Sequence, residues 1–239
     1  TSSHTRPIVN YTWQIDNVFY TGAGPVNYTC SRLGNIPVMF EATDDIGCKG
    51  TKLDSMAIQV FKDTIAPDVP KAYRASVETD TEVSFFFMPN AESDIDHYLL
   101  FHDYAGGVPQ QQRTVNIHTD TLQYFTGLNT LQLPYTYQLQ AVDVCNNYSL
   151  LSVKHTTIEL KAMGVVNAVN LNWSAYAGWD TVLRYEVYRR NRQNNIFEKI
   201  GSVAGNRLSY TDSQAYCHVL AHYRIKGIGT VSESWSDTA

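Results

Sequence analysis

Charge is scarce in this chain of 239 residues: Asp, Glu, Lys and Arg make up 17%, and the net formal charge is −5. No basic field exists to gather nucleic acid or anionic lipid. No apolar run approaches the roughly 20 residues that a membrane-spanning helix needs. The four cysteines, Cys30, Cys48, Cys145 and Cys217, form no CxxC pair, which argues against a thiolate zinc site. No GxSxG elbow marks a strained nucleophile. Gly22-Ala23-Gly24-Pro25 and Ala105-Gly106-Gly107-Val108 lack a following helix or lysine, so neither forms a phosphate cradle. His218 and His222 stand four apart without the glutamate of HExxH, and in a strand that spacing separates side chains by about 13 Å. These absences predict a chain with no catalytic residues, no cofactor and no resident metal.

Tyrosine is abundant, at 16 residues, and accompanies many Val, Thr and Ser. β-Branched and aromatic side chains suit a pleated, half-buried surface, so the composition predicts strands. Val169, Leu171 and Trp173 alternate with Asn170 and Asn172, a period of two that buries one face. Further strand-like runs cover 184–190, 196–203 and 223–227, with turns at Asn194-Asn195 and Gly205-Asn206. The order recurs upstream in Val83-Phe85-Phe87, 97–103, 122–125 and 135–142. Tyr98 then aligns with Tyr185 and Tyr137 with Tyr223, an internal repeat with a period of about 85–90 residues. Asp63 to Pro70 carries two prolines in a polar stretch and reads as a hinge leading into an edge strand. The expected fold is all-β, a tandem of Ig-like sandwiches, with modules at 1–62, 66–158 and 159–239 and a short, stiff second junction.

Several residue groups admit two readings. Cys30 and Cys48 are close enough in sequence to bridge within one module; alternatively all four thiols are isolated. Asp94 and Asp96, with Glu92 nearby, and the pair Asp44 and Asp45 offer hard oxygens to Ca²⁺, or simply cap turns. Tyr176 and Trp179 lie in the loop-like stretch 175–180. As an exposed pair they would stack on a sugar ring or anchor a protein. Otherwise Trp179 plugs the sandwich end or packs on the neighbouring module.

Residues 66–239 resemble fibronectin type III domains. Trp173 matches the family's core tryptophan, with Phe87 in its place upstream. Leu133-Pro134-Tyr135-Thr136-Tyr137 resembles the late strand whose tyrosine closes a corner, which implies that role for Tyr137 and, without the Leu-Pro, for Tyr223. Residues 1–62 resemble a PKD-type Ig-like module lacking its first strand, with Trp13 on an early strand and an acidic glycine turn at 44–48. The strings Asn172 to Arg189 and Ala141 to Ile158 resemble the module pair that precedes the sorting domain of large Bacteroidetes surface proteins exported by type IX secretion and linked to gliding motility. That resemblance implies a longer, secreted or surface-anchored chain with a sorting domain beyond Ala239. Its partners would be neighbouring domains and a protein or glycan at the cell surface. It also implies O-glycosylation at Asp-Ser/Thr triplets, on Ser55, Thr64, Thr121, Thr181 and Thr238. A second expectation is an accessory or carbohydrate-binding segment of a polysaccharide-degrading enzyme.

Overall fold

The computed structural model describes residues 6–30, 32–52, 57–104, 110–116, 121–215 and 220–239, which form strands, turns and irregular loops. The chain divides into two compact units, Thr1–Thr64 and Ile65–Ala239, and the division falls inside the proline-bearing stretch.

The first unit holds β1 (Ile8–Ile15), β2 (Val18–Thr21), β3 (Gly34–Asp44), β4 (Lys49–Lys52) and β5 (Ala57–Val60). They form one antiparallel sheet in the order β2-β1-β3-β4, with β5 also on β3. β3 is long enough to take two partners in succession: Gly34–Pro37 pair with β5 and Phe40–Thr43 with β4. The Trp13 ring lies 4.5 Å from that of Phe40. Ile15 and Ile36 are buried beside this cluster of half-buried residues. A sandwich was expected here; the described strands of this unit join in the one sheet through β3, which pairs with β1, β4 and β5. The acidic turn is local structure: the Asp44 carboxylate accepts the N–H groups of Ile46 and Cys48 at 3.1 and 2.8 Å. Cys30 and Cys48 are both exposed and free, so the expected bridge is absent. Cys48 is tied into that turn, while Cys30 sits in the irregular stretch before β3.

The second unit contains two sandwiches. The first is built from β6 (Lys71–Thr79), β7 (Glu82–Met88), β8 (Ile95–Tyr104), β9 (Gln110–Asn116), β10 (Leu122–Thr126), β11 (Tyr135–Asp143) and β12 (His155–Thr156). The second is built from β13 (Leu160–Val165), β14 (Ala168–Trp173), β15 (Val182–Arg190), β16 (Phe197–Ala204), β17 (Ser209–Asp212), β18 (Tyr223–Gly229) and β19 (Glu233–Trp235). Each pairs a three-stranded sheet, β10-β7-β6 or β13-β14-β17, with a four-stranded one, β12-β11-β8-β9 or β16-β15-β18-β19. The alternating apolar residues of facing sheets interdigitate in one core per sandwich. At the tip of the β15–β16 hairpin, Asn195 adopts φ 61°, a left-handed geometry that asparagine tolerates.

The repeat extends to side-chain geometry. Phe87 meets Tyr98 edge-on at 5.2 Å, and Trp173 meets Tyr185 edge-on at 5.5 Å. Both tyrosine hydroxyls then accept a backbone N–H from the loop before their strand, from Asn90 at 2.6 Å and from Tyr176 at 2.9 Å. The corner residue differs from expectation. Tyr137 is fully buried against Phe85, Phe125 and His102, and its hydroxyl has no partner among the described residues. Tyr135, two positions earlier on the same face, closes the corner by accepting the Asn129 N–H at 2.8 Å. In the second sandwich Tyr223 donates instead to the Asp212 carboxylate at 2.9 Å, which Arg189 also holds at 2.7 Å.

Removing the Tyr135 hydroxyl leaves the Asn129 N–H without its partner. Tyr135→Phe is expected to destabilise the chain by about 1–2 kcal/mol, and Tyr137→Phe to cost less, because that hydroxyl is already unsatisfied. Urea unfolding of the two variants compares them directly; equal losses would refute the assignment.

Candidate functional site

The most distinctive constellation in the second unit is the seam between its sandwiches. β6 is an edge strand, with β7 on one side only. The outward backbone groups of such a strand are open hydrogen-bonding sites that a protein must cover or leave to chance pairing. Here the next sandwich covers them with side chains. Trp179 Nε1 donates to the Tyr73 carbonyl at 2.6 Å, Ser234 Oγ to the Ala75 carbonyl at 2.7 Å, and Arg224 to the Val77 and Glu78 carbonyls. The Ala75 N–H donates to the Tyr176 hydroxyl at 2.9 Å. Tyr73, Ala75 and Val77 are two residues apart, so their carbonyls share one edge. The contact thus runs laterally along β6. Trp235 N–H completes it by donating to Ser76 Oγ at 3.0 Å.

The loop 174–181 enters this seam. Tyr176 is 5% exposed, and its ring lies tilted with its centroid 3.9 Å from that of Trp179, which is half-buried. Of the two readings open for this pair, the structure shows the second: both residues pack against the neighbouring module, since their polar tips find acceptors and donors there. Thr156 N–H donates to the Ala177 carbonyl at 3.1 Å, tying the loop to the junction strand. Gly178 makes this possible: its φ is 117°, and a Cβ there would stand 2.5 Å from His155 Nδ1.

Two buried ionisable groups and one half-buried group line the seam and the adjoining junction. His155 is 1% exposed, with Nδ1 2.8 Å from the Tyr176 hydroxyl. Burial lowers its pKa to about 4, against a smaller opposing pull from the Ala72 backbone. Asp237 is also 1% exposed; Oδ1 accepts the Leu160 N–H at 2.7 Å. Burial raises its pKa to about 7, with Glu159 adding to the rise and the Leu160 N–H and Arg224 opposing it. Arg224 stacks over Trp235 at 5.1 Å and donates to the Ser236 carbonyl as well as across the seam. Burial lowers its pKa, and the nearby Glu78, Asp80 and Asp237 oppose that shift. No sequence motif announced this set. The available signal was the alternation of Ser232, Ser234 and Ser236, small polar residues where a sandwich core would place apolar ones; Ser234 and Ser236 are fully buried.

The other expected sites are dispersed. Asp96 pairs with His97 at 2.8 Å. Asp94 instead lies with its carboxylate within 4.8 Å of that of Asp143. Asp143 is taken up in its own turn, accepting the N–H groups of Cys145 and Asn147, each at 2.8 Å. Asp94 and Asp96 thus do not converge as the expected calcium ligands. Of the glycosylation candidates, Thr64 and Thr181 are exposed, Thr121 and Thr238 are half-buried, and Ser55 lies outside the described residues. The aspartate preceding Thr238 is the buried Asp237, so that triplet is structural. His218 and Cys217 also lie outside the described residues.

No family model matches the chain, and no curated protein matches it. Among solved structures, a two fibronectin type III domain segment from chicken tenascin is 17% identical, with 71% of this chain and 97% of that one covered and a TM-score of 0.30. The FN1–FN3 domains of chicken CNTN1 are 10% identical, with 100% and 89% covered and a TM-score of 0.34. Scores this low carry no argument, and the sandwich assignment stands on strand order and core packing.

The seam has a pH signature with two opposed parts. Between about pH 4 and 6.5 the unfolded chain protonates His155 while the folded chain resists, so this group's stabilisation is lost as pH falls. Between 3.8 and about 7 the folded chain keeps Asp237 protonated while the unfolded chain releases that proton, so this group's stabilisation is lost as pH rises. The two slopes oppose each other in the wild type. Relative to wild type, the stability of His155→Gln is expected to fall as pH rises from 4 to 6.5, and that of Asp237→Asn to rise, each by roughly 2 kcal/mol. Denaturant unfolding across this range measures both; parallel profiles for all three proteins would refute the pairing.

Proposed function

We propose that the chain is a non-catalytic structural and adhesion segment of a secreted or cell-surface bacterial protein, of the kind exported by type IX secretion and associated with gliding motility. The observation that supports this reading most is the seam. A chain whose task is reach and stiffness gains from a junction that cannot hinge. Here the buried Ser234 and Tyr176 and the half-buried Arg224 and Trp179 are committed to holding one sandwich against the other. Inter-domain contacts in ordinary multidomain chains leave relative motion as the default. Hydrogen bonds to an edge strand are directional, and a bonded charged donor contributes more than a neutral one.

Residual dipolar couplings on the full chain are expected to fit the two sandwiches of 65–239 with one alignment tensor. Arg224→Ala combined with Trp179→Ala is expected to split it into two. Separate tensors in the wild type would sink the stiff-spacer reading. The surface assignment is tested apart from this. Antibody raised against the chain is expected to label intact cells of the source bacterium, and labelling only after permeabilisation would overturn it.

A further inference from the structure

A cavity of about 610 Å³ opens at one end of the last sandwich, where the β15–β16 hairpin meets the segment 220–222 that leads into β18. Arg190, Arg192, Gln193 and His222 contribute its polar lining, and Ile200 and Leu220 contribute apolar surface. Its charges are unevenly spent. Arg189 is held by Asp212 at 2.7 Å. Glu198, the one carboxylate on the wall, accepts from the side-chain amides of Asn191 and Asn194 at 2.8 and 3.2 Å. Arg190 and Arg192 have no ion-pair partner among the described residues. The Arg190 Nε is buried and has no acceptor there, while its guanidinium lies 5.4 Å over the Phe197 ring. In a chain of net charge −5, this is a cationic recess with one guanidinium already oriented and one of its donors unused.

We propose that this cavity binds an acidic oligosaccharide, through a carboxylate or sulfate carried on a sugar ring. A planar guanidinium lying over an aromatic ring presents a fork that fits either oxyanion. Ile200 and Leu220 offer apolar surface to the C–H face of the ring, and Gln193 offers an amide to its hydroxyls. The volume is that of a small-ligand site, and one or two rings fill it. An acidic peptide fits less well, because a bound strand needs free backbone groups to pair with. At the hairpin tip the cavity wall has already used several of its own. Arg190 N–H donates to the His222 carbonyl, Asn191 N–H to that of Ile196 and Asn195 N–H to that of Asn191. Gln193 N–H donates to the Asn191 side chain. The site goes beyond the spacer reading and fails independently of it, since a stiff junction is measured by couplings and requires no ligand.

The experiment is calorimetric titration of the full chain with oligogalacturonate and with sulfated dextran oligosaccharide. Neutral maltooligosaccharide, poly-glutamate and sodium sulfate serve as comparison ligands. One or both acidic sugars are expected to bind, more weakly as salt rises, which also separates the carboxylate source from the sulfate source. Arg192→Gln, at an exposed position, is expected to weaken binding roughly tenfold, as loss of one charge-assisted contact does. Arg190→Lys keeps the charge without the fork and is expected to weaken it as well. Lys161→Gln, on an exposed lysine paired with Glu159, is expected to leave binding unchanged. Failure of both acidic sugars to bind would overturn the proposal. So would undiminished binding by Arg192→Gln, or poly-glutamate binding as tightly as the sugars.

Discussion

The outward edge of β6 is the constraint around which the second unit is organised. A strand paired on one side has a row of carbonyls and N–H groups that must go to water or to a partner. Here they go to Trp179, Ser234, Arg224 and Tyr176, all from the following sandwich. The same bonds that remove an aggregation-prone edge therefore also orient the two sandwiches. Because the acceptors are backbone carbonyls at fixed spacing, the donors specify register as well as contact. That is why two bodies with separate cores form one compact unit.

The donors had to be polar and also buried, which imposes requirements of its own. Ser234 and Ser236 are small enough to sit inside without cavities and are bonded through their hydroxyls. Arg224 keeps its charge by spreading donors over several carbonyls and lying on Trp235. His155 is held neutral by burial, and Asp237 is held protonated up to about neutral pH. Gly178 is dictated by the same closeness, since any side chain there would displace His155. The loop that looked most like a binding platform is thus part of the joint, and the unspent cationic groups lie elsewhere, on the β15–β16 hairpin.

The internal repeat shows how a fold is kept while its details are exchanged. The edge-on pairs Phe87–Tyr98 and Trp173–Tyr185 are equivalent in place and nearly so in geometry. Both tyrosines also anchor the preceding loop through the same backbone bond. The late-strand tyrosines diverge: Tyr135 takes a backbone N–H and Tyr137 has no hydroxyl partner among the described residues, whereas Tyr223, the counterpart of Tyr137, joins a carboxylate and an arginine.

What the residues determined by themselves was the strand class, the repeat and the alternating cores. These rest on local periodicity: a period of two makes one face apolar whatever lies beyond it, as Val169, Leu171 and Trp173 illustrate. The Leu133-Pro134-Tyr135 motif likewise located the corner, although two tyrosines on one face left the wrong one favoured. Tertiary structure alone decided the rest. Cys30 and Cys48 are near in sequence yet unbridged, because the turn closed by Asp44 holds one and an irregular stretch holds the other. Residues 1–62 carry strand signals, but how those strands join, all through β3, was decided by pairing that local pattern does not contain. Tyr176 and Trp179 kept two readings, exposed or packed, because nothing in a linear chain says that β6, about a hundred positions earlier, offers carbonyls at the matching spacing. Long-range complementarity of this kind has no period, and only the folded chain brings its halves together.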